Sequence, residues 1–506
     1  MRSVKGYLVW FAMFLTGVAM SACVMSTPAG LDNTSTPTVT STTSTSTPSP
    51  TETAADPTPL ATQTVSIPEQ SAPPNSYVIH AVYDFALQQV SVKQVIRYTH
   101  LFDRPLNELI LLVEPNRFAN GFRMNQLVDA SSGQSVNWEL DGNLMRVYLE
   151  EPLSLQDRIE LTADYVLQLP QIPPPSEDAK PQIYGYTERQ TNLVDWYLWL
   201  PPYDEGQGWV VNPPAYFGEY TVYPLADFEV AFEVIHSPRD VVVAASSRPA
   251  QQGQNRWDFR FSRARNFALS ISADFLVSET EVQGVKIRSY YFPMYQRQGE
   301  VVLTHTAQAF SLYSELFGPL PRTEISVVQA DFLDGMEFDG LFFLSKGFYE
   351  IYDGTDKGYL TIISVHETAH LWWYAAVAND QAQHPWLDES LCTYAERLYY
   401  ERYLPDLVDW WWYYRVNFYQ PEGMIDLPVY DYQGYTAYRD AVYLRGATFL
   451  EELRQLLGDE KFFEGLRHYY AAQIENIASP NDFLATFESY GVDFSNIREK
   501  YFGSEE

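Results

Sequence analysis

The stretch Tyr359-Leu360-Thr361-Ile362-Ile363-Ser364-Val365-His366-Glu367-Thr368-Ala369-His370 decides the reading of this 506-residue chain. Its last five residues spell H-E-x-x-H, and Glu389 stands nineteen positions after His370. His366 and His370 are four apart, so on a helix they share one face, with Cβ atoms roughly 5–6 Å apart. Two ring nitrogens at that spacing reach one metal ion at about 2.0–2.1 Å. The flanks, Tyr359 to Val365 and Leu371 to Val377, are apolar nearly all round, which predicts a buried helix.

Glu367 lies about 100° round that helix from His366. It is too close in sequence to share the metal comfortably, yet it reaches a water that the metal holds. Zinc lowers the pKa of such a water to about 7, and a neighbouring carboxylate takes the proton. Glu367 is the general base in this reading. Glu389 supplies a third ligand and leaves a fourth position open, which distinguishes a catalytic zinc from a structural one. Pro385 to Asp388 break the chain before Glu389, and Leu391 to Ala395 continue it as a second helix that folds back onto the first. A purely structural pair of histidines on a helix face is the plain alternative, and Glu389 argues against it.

H-E-x-x-H, eighteen residues, then Glu resembles the signature of the gluzincin aminopeptidases related to aminopeptidase N and leukotriene hydrolase. Trp386-Leu387-Asp388-Glu389-Ser390 is similar to the family's W-L-N-E-G, with Asp for Asn and Ser for Gly. Asp334-Gly335-Met336-Glu337-Phe338 resembles its G-x-M-E-N motif. The resemblance implies that Glu337 holds the free α-amine of the substrate and that backbone groups around Gly335 and Met336 line it. Phe338 departs from the family's Asn. Tyr443-Leu444-Arg445-Gly446 resembles the Y-x-[K/R]-G turn, which implies that Tyr443 donates a hydrogen bond to the tetrahedral oxyanion. Gly318-Pro319-Leu320-Pro321 and Leu456 to Phe462 also look like family text. The motif by which the family's N-terminal domain adds a second amine-binding side chain is not found, and Glu188 or Gln190 is the nearest substitute.

The resemblance implies one zinc ion held by His366, His370 and Glu389. It also implies peptides with a free N-terminus as substrates. The fold it implies is α+β and multidomain, an all-β saddle-like domain followed by a thermolysin-like, mostly helical catalytic domain. The residues themselves agree. From Tyr77 to about Glu279, short alternating stretches such as Val90–Tyr98 and Phe228–Val234 read as strands, with turns between them. Val285–Tyr291 and Glu324–Val328 continue as strands, and Phe338–Ser345 reads as a near-edge strand bearing the amine-binding motif. Val301–Leu316 has helical period, stopped by Gly318 and Pro319. After the histidines the chain reads as mostly helical, ending in helices over Asp459–Ile477 and Asn481–Tyr490. Longer family members continue into a β-sandwich and a large helical domain that roofs the site. The short form predicts an open cleft that tolerates longer peptides.

Composition sets outer bounds. At 46% hydrophobic and 15% aromatic, the chain buries a sizeable core. A net charge of −32 and a pI near 4.5 argue against nucleic acid as a partner. Arg2 and Lys5 precede an apolar run from Tyr7 to about Ala22, the pattern of an export signal. Met20-Ser21-Ala22-Cys23 resembles a lipoprotein processing site, so residues 1–23 are read as a signal with Cys23 as lipid carrier. Ordinary cleavage or a retained anchor is the alternative. Residues 24–76, dominated by Ser, Thr and Pro, read as a disordered tether or a glycosylated stalk. The catalytic body is then extracytoplasmic, anchored to a membrane or secreted. The remaining divisions are a β-rich domain over 77–279 and the zinc peptidase domain over 280–506.

Several aromatic and sulfur residues invite functional readings. Trp410-Trp411-Trp412-Tyr413-Tyr414 is read as a buried helix rather than a sugar-binding face. Trp372 and Trp373 are read as core. Cys392 is read as a small apolar filler rather than a fourth ligand or a redox switch. Two rival functions stay open. One is an endopeptidase, or a hydrolase of another electrophile, on the same metal site. The other is a non-catalytic surface binding protein.

Overall fold

The computed structural model describes residues 73–174 and 181–503. The signal-like segment, Cys23 and the tether up to residue 72 lie outside the described residues. The described residues form one compact unit.

Strands of ten or eleven residues build the first half. Asn75–Asp84 lies at the centre of a seven-stranded sheet, parallel to Ala226–Ile235 and antiparallel to Gln89–Thr99. Its first residue lies inside the stretch expected as tether, because Asn75 and Ser76 already pair with Tyr98 and Arg97. Burial alternates along it, with Tyr77, Ile79, Ala81 and Tyr83 inward. This is the pattern of a sheet with one face on the core. A three-stranded sheet, a four-stranded sheet and a two-stranded ribbon, Tyr203–Asp204 with Gly208–Trp209, complete this β half.

The second half begins with a five-stranded sheet. Its spatial order is Leu276–Val282, Val285–Tyr291, Glu324–Ala330, Leu341–Ser345 and Gly335–Phe338. The sheet opens at Leu276, so the boundary drawn at 279/280 falls inside its first strand. Gly335–Phe338 is an edge strand, antiparallel to Leu341–Ser345, with Glu337 opposite Phe342. The motif strand is therefore separate from the strand expected over Phe338–Ser345. The tight turn between them runs through Gly340 at φ +76°, where an added Cβ would sit 2.1 Å from the Ser246 carbonyl oxygen. Only glycine fits there.

Gln296–Leu316 is a helix between the sheet strands Val285–Tyr291 and Glu324–Ala330, and further helices follow the sheet, including Tyr359–Ala369, Trp386–Tyr403, Gly446–Leu457 and Asp459–Gln473. Every residue of Tyr359–Ala369 is buried. Two of its polar members are satisfied within the helix, Ser364 Oγ donating to the Leu360 carbonyl and Thr368 Oγ1 to the Ser364 carbonyl. Leu371–Val377 does not continue this helix. The chain unwinds at His370, and the amides of Ala375, Ala376 and Val377 donate to carbonyls five residues back. Trp372 and Trp373 are core, as expected.

The aromatic run is less uniform than a buried helix. Trp411 is fully buried, Trp410 and Trp412 are partly so, and Tyr413 is 61% exposed. The run passes into a π-helical stretch, Trp412–Val416. The wider turn spreads the side chains round the axis, so one apolar stripe cannot collect them all. Among the described residues no helix is long and apolar enough to cross a membrane.

The two halves are joined through buried charge. Arg265 of the β half donates to the carbonyls of Tyr223, Ala375, Ala376 and Asn476. Its own backbone N–H donates to Asp339, which Arg322 grips with two hydrogen bonds. The segment just after His370 is thus held from across the domain boundary.

Candidate active site

His366 and His370 lie at the C-terminal end of Tyr359–Ala369, and Glu389 lies in the first turn of Trp386–Tyr403. That helix starts at Trp386, so Trp386 to Asp388, expected to break the chain, are its first residues. His366 Nε2 is 3.2 Å from His370 Nε2 and 3.1 Å from Glu389 Oε2, and His370 Nε2 is 3.6 Å from the same oxygen. The far nitrogens are committed: His366 Nδ1 donates to Glu396 Oε1 at 2.9 Å, and His370 Nδ1 to the Trp373 carbonyl at 3.2 Å. A neutral imidazole with its Nδ1 hydrogen so used presents a lone pair at Nε2. Two lone pairs and a carboxylate oxygen therefore converge on one point.

Three such atoms repel one another unless a cation sits between them. Ligands of a tetrahedral zinc with bonds of about 2.0–2.1 Å stand about 3.3 Å apart, which matches the triangle of 3.1, 3.2 and 3.6 Å. The donor set and its spacing fit the metal. The same demand for positive charge shows in His366: burial pulls its pKa down, yet Glu389 and Glu396 push it up to about 9.

Glu367 points to the same place. Its carboxylate is buried, with Oε2 free of hydrogen bonds, and a Cβ on Gly335 would lie 2.0 Å from its Oε1. The edge strand therefore approaches Glu367 only because residue 335 has no side chain. Burial pushes the Glu367 carboxyl well above its ordinary range, and His370 and His366 pull against it. Shifts of this kind cluster at groups that do acid–base work.

Glu337 is brought in from the edge strand. One ligand atom each of Glu337, His370 and Glu389 all lie within 4.8 Å of one another. Phe338 turns the other way, edge-on against Phe343 at 5.9 Å, so the departure from the family text is spent in the core. Met336 pairs with Phe343 in the ladder and is partly exposed.

Residues 302–501 match the description Peptidase family M1 domain. That stretch, about two fifths of the chain, is similar to an M1 domain. Among curated proteins, the Oryza sativa subsp. japonica protein named Aminopeptidase M1-D is 25% identical over 223 residues, 41% of this chain and 25% of its own. The Saccharomyces cerevisiae protein named Aminopeptidase 2, mitochondrial, is 24% identical over 220 residues, 39% of this chain and 23% of its own. The chain thus spans about a quarter of the length of these relatives.

Among solved structures, an M1 zinc metallopeptidase from Deinococcus radiodurans superposes with a TM-score of 0.62. It is 19% identical, over 85% of this chain and 93% of that one. A two-domain M1 zinc metallopeptidase mutant bound to L-tryptophan gives 0.63 at 18% identity, over 86% and 96%. These likenesses show the fold: a mostly-β first half and a helical second half, as in two-domain M1 structures.

Tyr443 stacks on His366, rings 5.9 Å apart and inclined by 17°. It lies not in a turn but in a π-helical stretch, Arg439–Arg445. Gly446 follows, where an added Cβ would sit 1.9 Å from Ser390 Oγ, and Ser390 Oγ donates to the Val442 carbonyl. The residue after Glu389 is thereby locked to the segment that carries Tyr443.

Gln190 is committed elsewhere. Its amide donates to Ser270 and the Gln329 carbonyl and accepts from the Asp331 N–H, while Glu188 is exposed. Cys392 is a buried free cysteine, as expected. Three residues at the site escaped sequence reasoning: Glu396, Arg415 and Gln381. Glu396 had a signal, since it follows Glu389 by seven positions and so shares its helix face. Arg415 and Gln381 had none, because each reaches the site from a segment whose path only the fold sets.

Proposed function

We propose that this chain is a zinc-dependent aminopeptidase working outside the cytoplasm. His366, His370 and Glu389 would hold one zinc ion. The carrying observation is Glu337, a buried carboxylate within 4.8 Å of the ligand atoms of His370 and Glu389. A carboxylate beside the hydrolytic centre binds an ammonium there, which sets the N-terminal residue of a peptide at the point of attack. The names of the curated relatives support the same activity.

When bound, zinc lowers the pKa of a water to about 7 and polarises a carbonyl oxygen. Glu367 takes the proton of the attacking water and returns it to the leaving amine. Tyr443 donates its hydroxyl hydrogen to the developing oxyanion. The free edge of Gly335–Phe338 offers backbone donors and acceptors to an extended peptide, as sheet edges do. The signal-like start, Cys23 and the Ser/Thr/Pro-rich segment support an exported, membrane-tethered enzyme.

Aminoacyl-coumarin substrates, each paired with its N-acetylated form and assayed with and without chelator, test this reading. Hydrolysis of the free-amine member alone, abolished by chelator, is the expected result. Equal rates on both members would replace it with an endopeptidase or a general hydrolase.

A further inference from the structure

We infer that Gln381 is a positioning residue that sets the carboxylate of Glu337 for the substrate ammonium, an inference that rests on the aminopeptidase reading above. Gln381 is buried, in the segment between the histidines and Glu389. Its Nε2 donates to Glu337 Oε1 at 2.9 Å and to Asp388 Oδ2 at 2.8 Å. An amide nitrogen has two hydrogens, so both are spent on these two carboxylates. The other oxygen of Asp388 accepts the backbone N–H of Glu389 at 2.8 Å. An unbroken line of hydrogen bonds thus runs from the amine-binding carboxylate to the backbone of a metal ligand.

The line fixes a distance that the reaction needs. A carboxylate free to turn would hold an ammonium anywhere on an arc. With one oxygen pinned by Gln381, the plane of Glu337 is set and its second oxygen remains for the ammonium. Glu337 and Asp388 are both buried, and Gln381 gives each carboxyl group a hydrogen-bond donor.

The Gln381 backbone is itself held. Asp380 Oδ1 accepts the N–H groups of Ala382 and Gln383 and the side-chain amide of Asn212 from the β half. Asn379 Nδ2 donates to the His384 carbonyl, closing the loop. The β half therefore acts on amine recognition through this loop, without an amide of its own such as Gln190 at the site.

The test uses zinc-loaded full-length protein and two inhibitors, leucine hydroxamate and its des-amino counterpart, 4-methylpentanohydroxamate. Their affinity ratio measures what the amine contributes, while the des-amino compound reports on the metal alone. Gln381→Met, which keeps length and loses the donor, should lower the ratio about tenfold or more. Affinity for the des-amino compound should stay within about twofold, with zinc content unchanged. Gln381→Asn, a milder change that draws the amide back by one methylene, should move the ratio in the same direction. A ratio unchanged in both variants overturns the inference, and so does an equal loss for both inhibitors together with zinc. A wild-type ratio near one would instead overturn the aminopeptidase reading itself.

Discussion

His366 Nδ1 and Glu396 Oε1 are 2.9 Å apart, and Arg415 and Trp411 grip the same carboxylate from its far side. Arg415 makes two hydrogen bonds to Glu396, of 3.0 and 2.9 Å. A carboxylate held this way fixes the ring orientation and tautomer of His366. Glu396→Gln keeps an acceptor but removes the charge. Zinc should bind about 10–100-fold more weakly, as read by competition with a chromophoric chelator. Unchanged zinc affinity would show that Glu396 serves packing alone.

Glu367→Gln removes the proton acceptor while keeping shape. Turnover should fall by roughly 100-fold or more, with zinc retained. Steady-state rates with zinc analysis on the same sample decide this. A variant that turns over normally assigns the base elsewhere.

Gly335→Ala tests the contact between the edge strand and Glu367. The new Cβ would meet Glu367 Oε1 at 2.0 Å, so one of the two must move. A misplacement of about 1 Å at a reacting group costs on the order of 100-fold in rate. Rate should fall while zinc content and melting temperature stay close to wild type. A rate within a factor of two would mean that the strand yields rather than the carboxylate.

Tyr443→Phe keeps the ring that stacks on His366 and loses only the hydroxyl. The value of kcat should drop about 100–1000-fold with KM little changed, the signature of a donor used in the transition state. A rise in KM alone would make Tyr443 a substrate-binding group.

The clamp between Arg189 and Asp331 predicts an acid limb of stability. Arg189 Nε donates to Asp331 Oδ2 at 2.9 Å, Thr187 adds a hydrogen bond, and the guanidinium lies 3.6 Å over the Phe292 ring. Burial pushes the Asp331 carboxyl up, but Arg189 and Thr187 bring it below its ordinary value of 3.8. A carboxyl lowered on folding stabilises the protein above its unfolded pKa of about 3.9 and loses that contribution as pH falls through the folded value. Asp331→Asn should therefore melt lower at pH 7, and the two melting curves should converge as the pH drops below about 4. A constant gap across that range would show that the pair contributes no charge-dependent stability.

Much of the site was legible in the sequence because its parts are local. His366 and His370 need only one helical turn between them, and Glu389 needs only the helix that follows. Period-two alternation exposed the long strands of the β half, since a sheet packed on one face leaves that mark in every strand. The path after His370 was not legible. Leu371 to Val377 has the composition of a continuing helix, but the helix stops at His370, and the Ala375 and Ala376 carbonyls are taken by Arg265, just past the end of a distant strand. The aromatic run misled in the same way, because a π-helical stretch turns a single apolar stripe into a wider spread.

The sequence by itself determined the metal chemistry: two imidazoles, a base between them and a third ligand whose spacing leaves one position open. Those identities depend on residue type and on separations short enough for helix geometry to enforce. The tertiary structure decided how the surroundings of that chemistry assemble, including Glu337, whose motif was visible in the sequence but whose approach was not. Glu337 comes from a sheet edge, Gln381 from a loop pinned to the β half, and Arg415 from a helix packed behind His366. Each lies far along the chain from what it serves, and burial of apolar surface brings them together without leaving any regular spacing in the sequence.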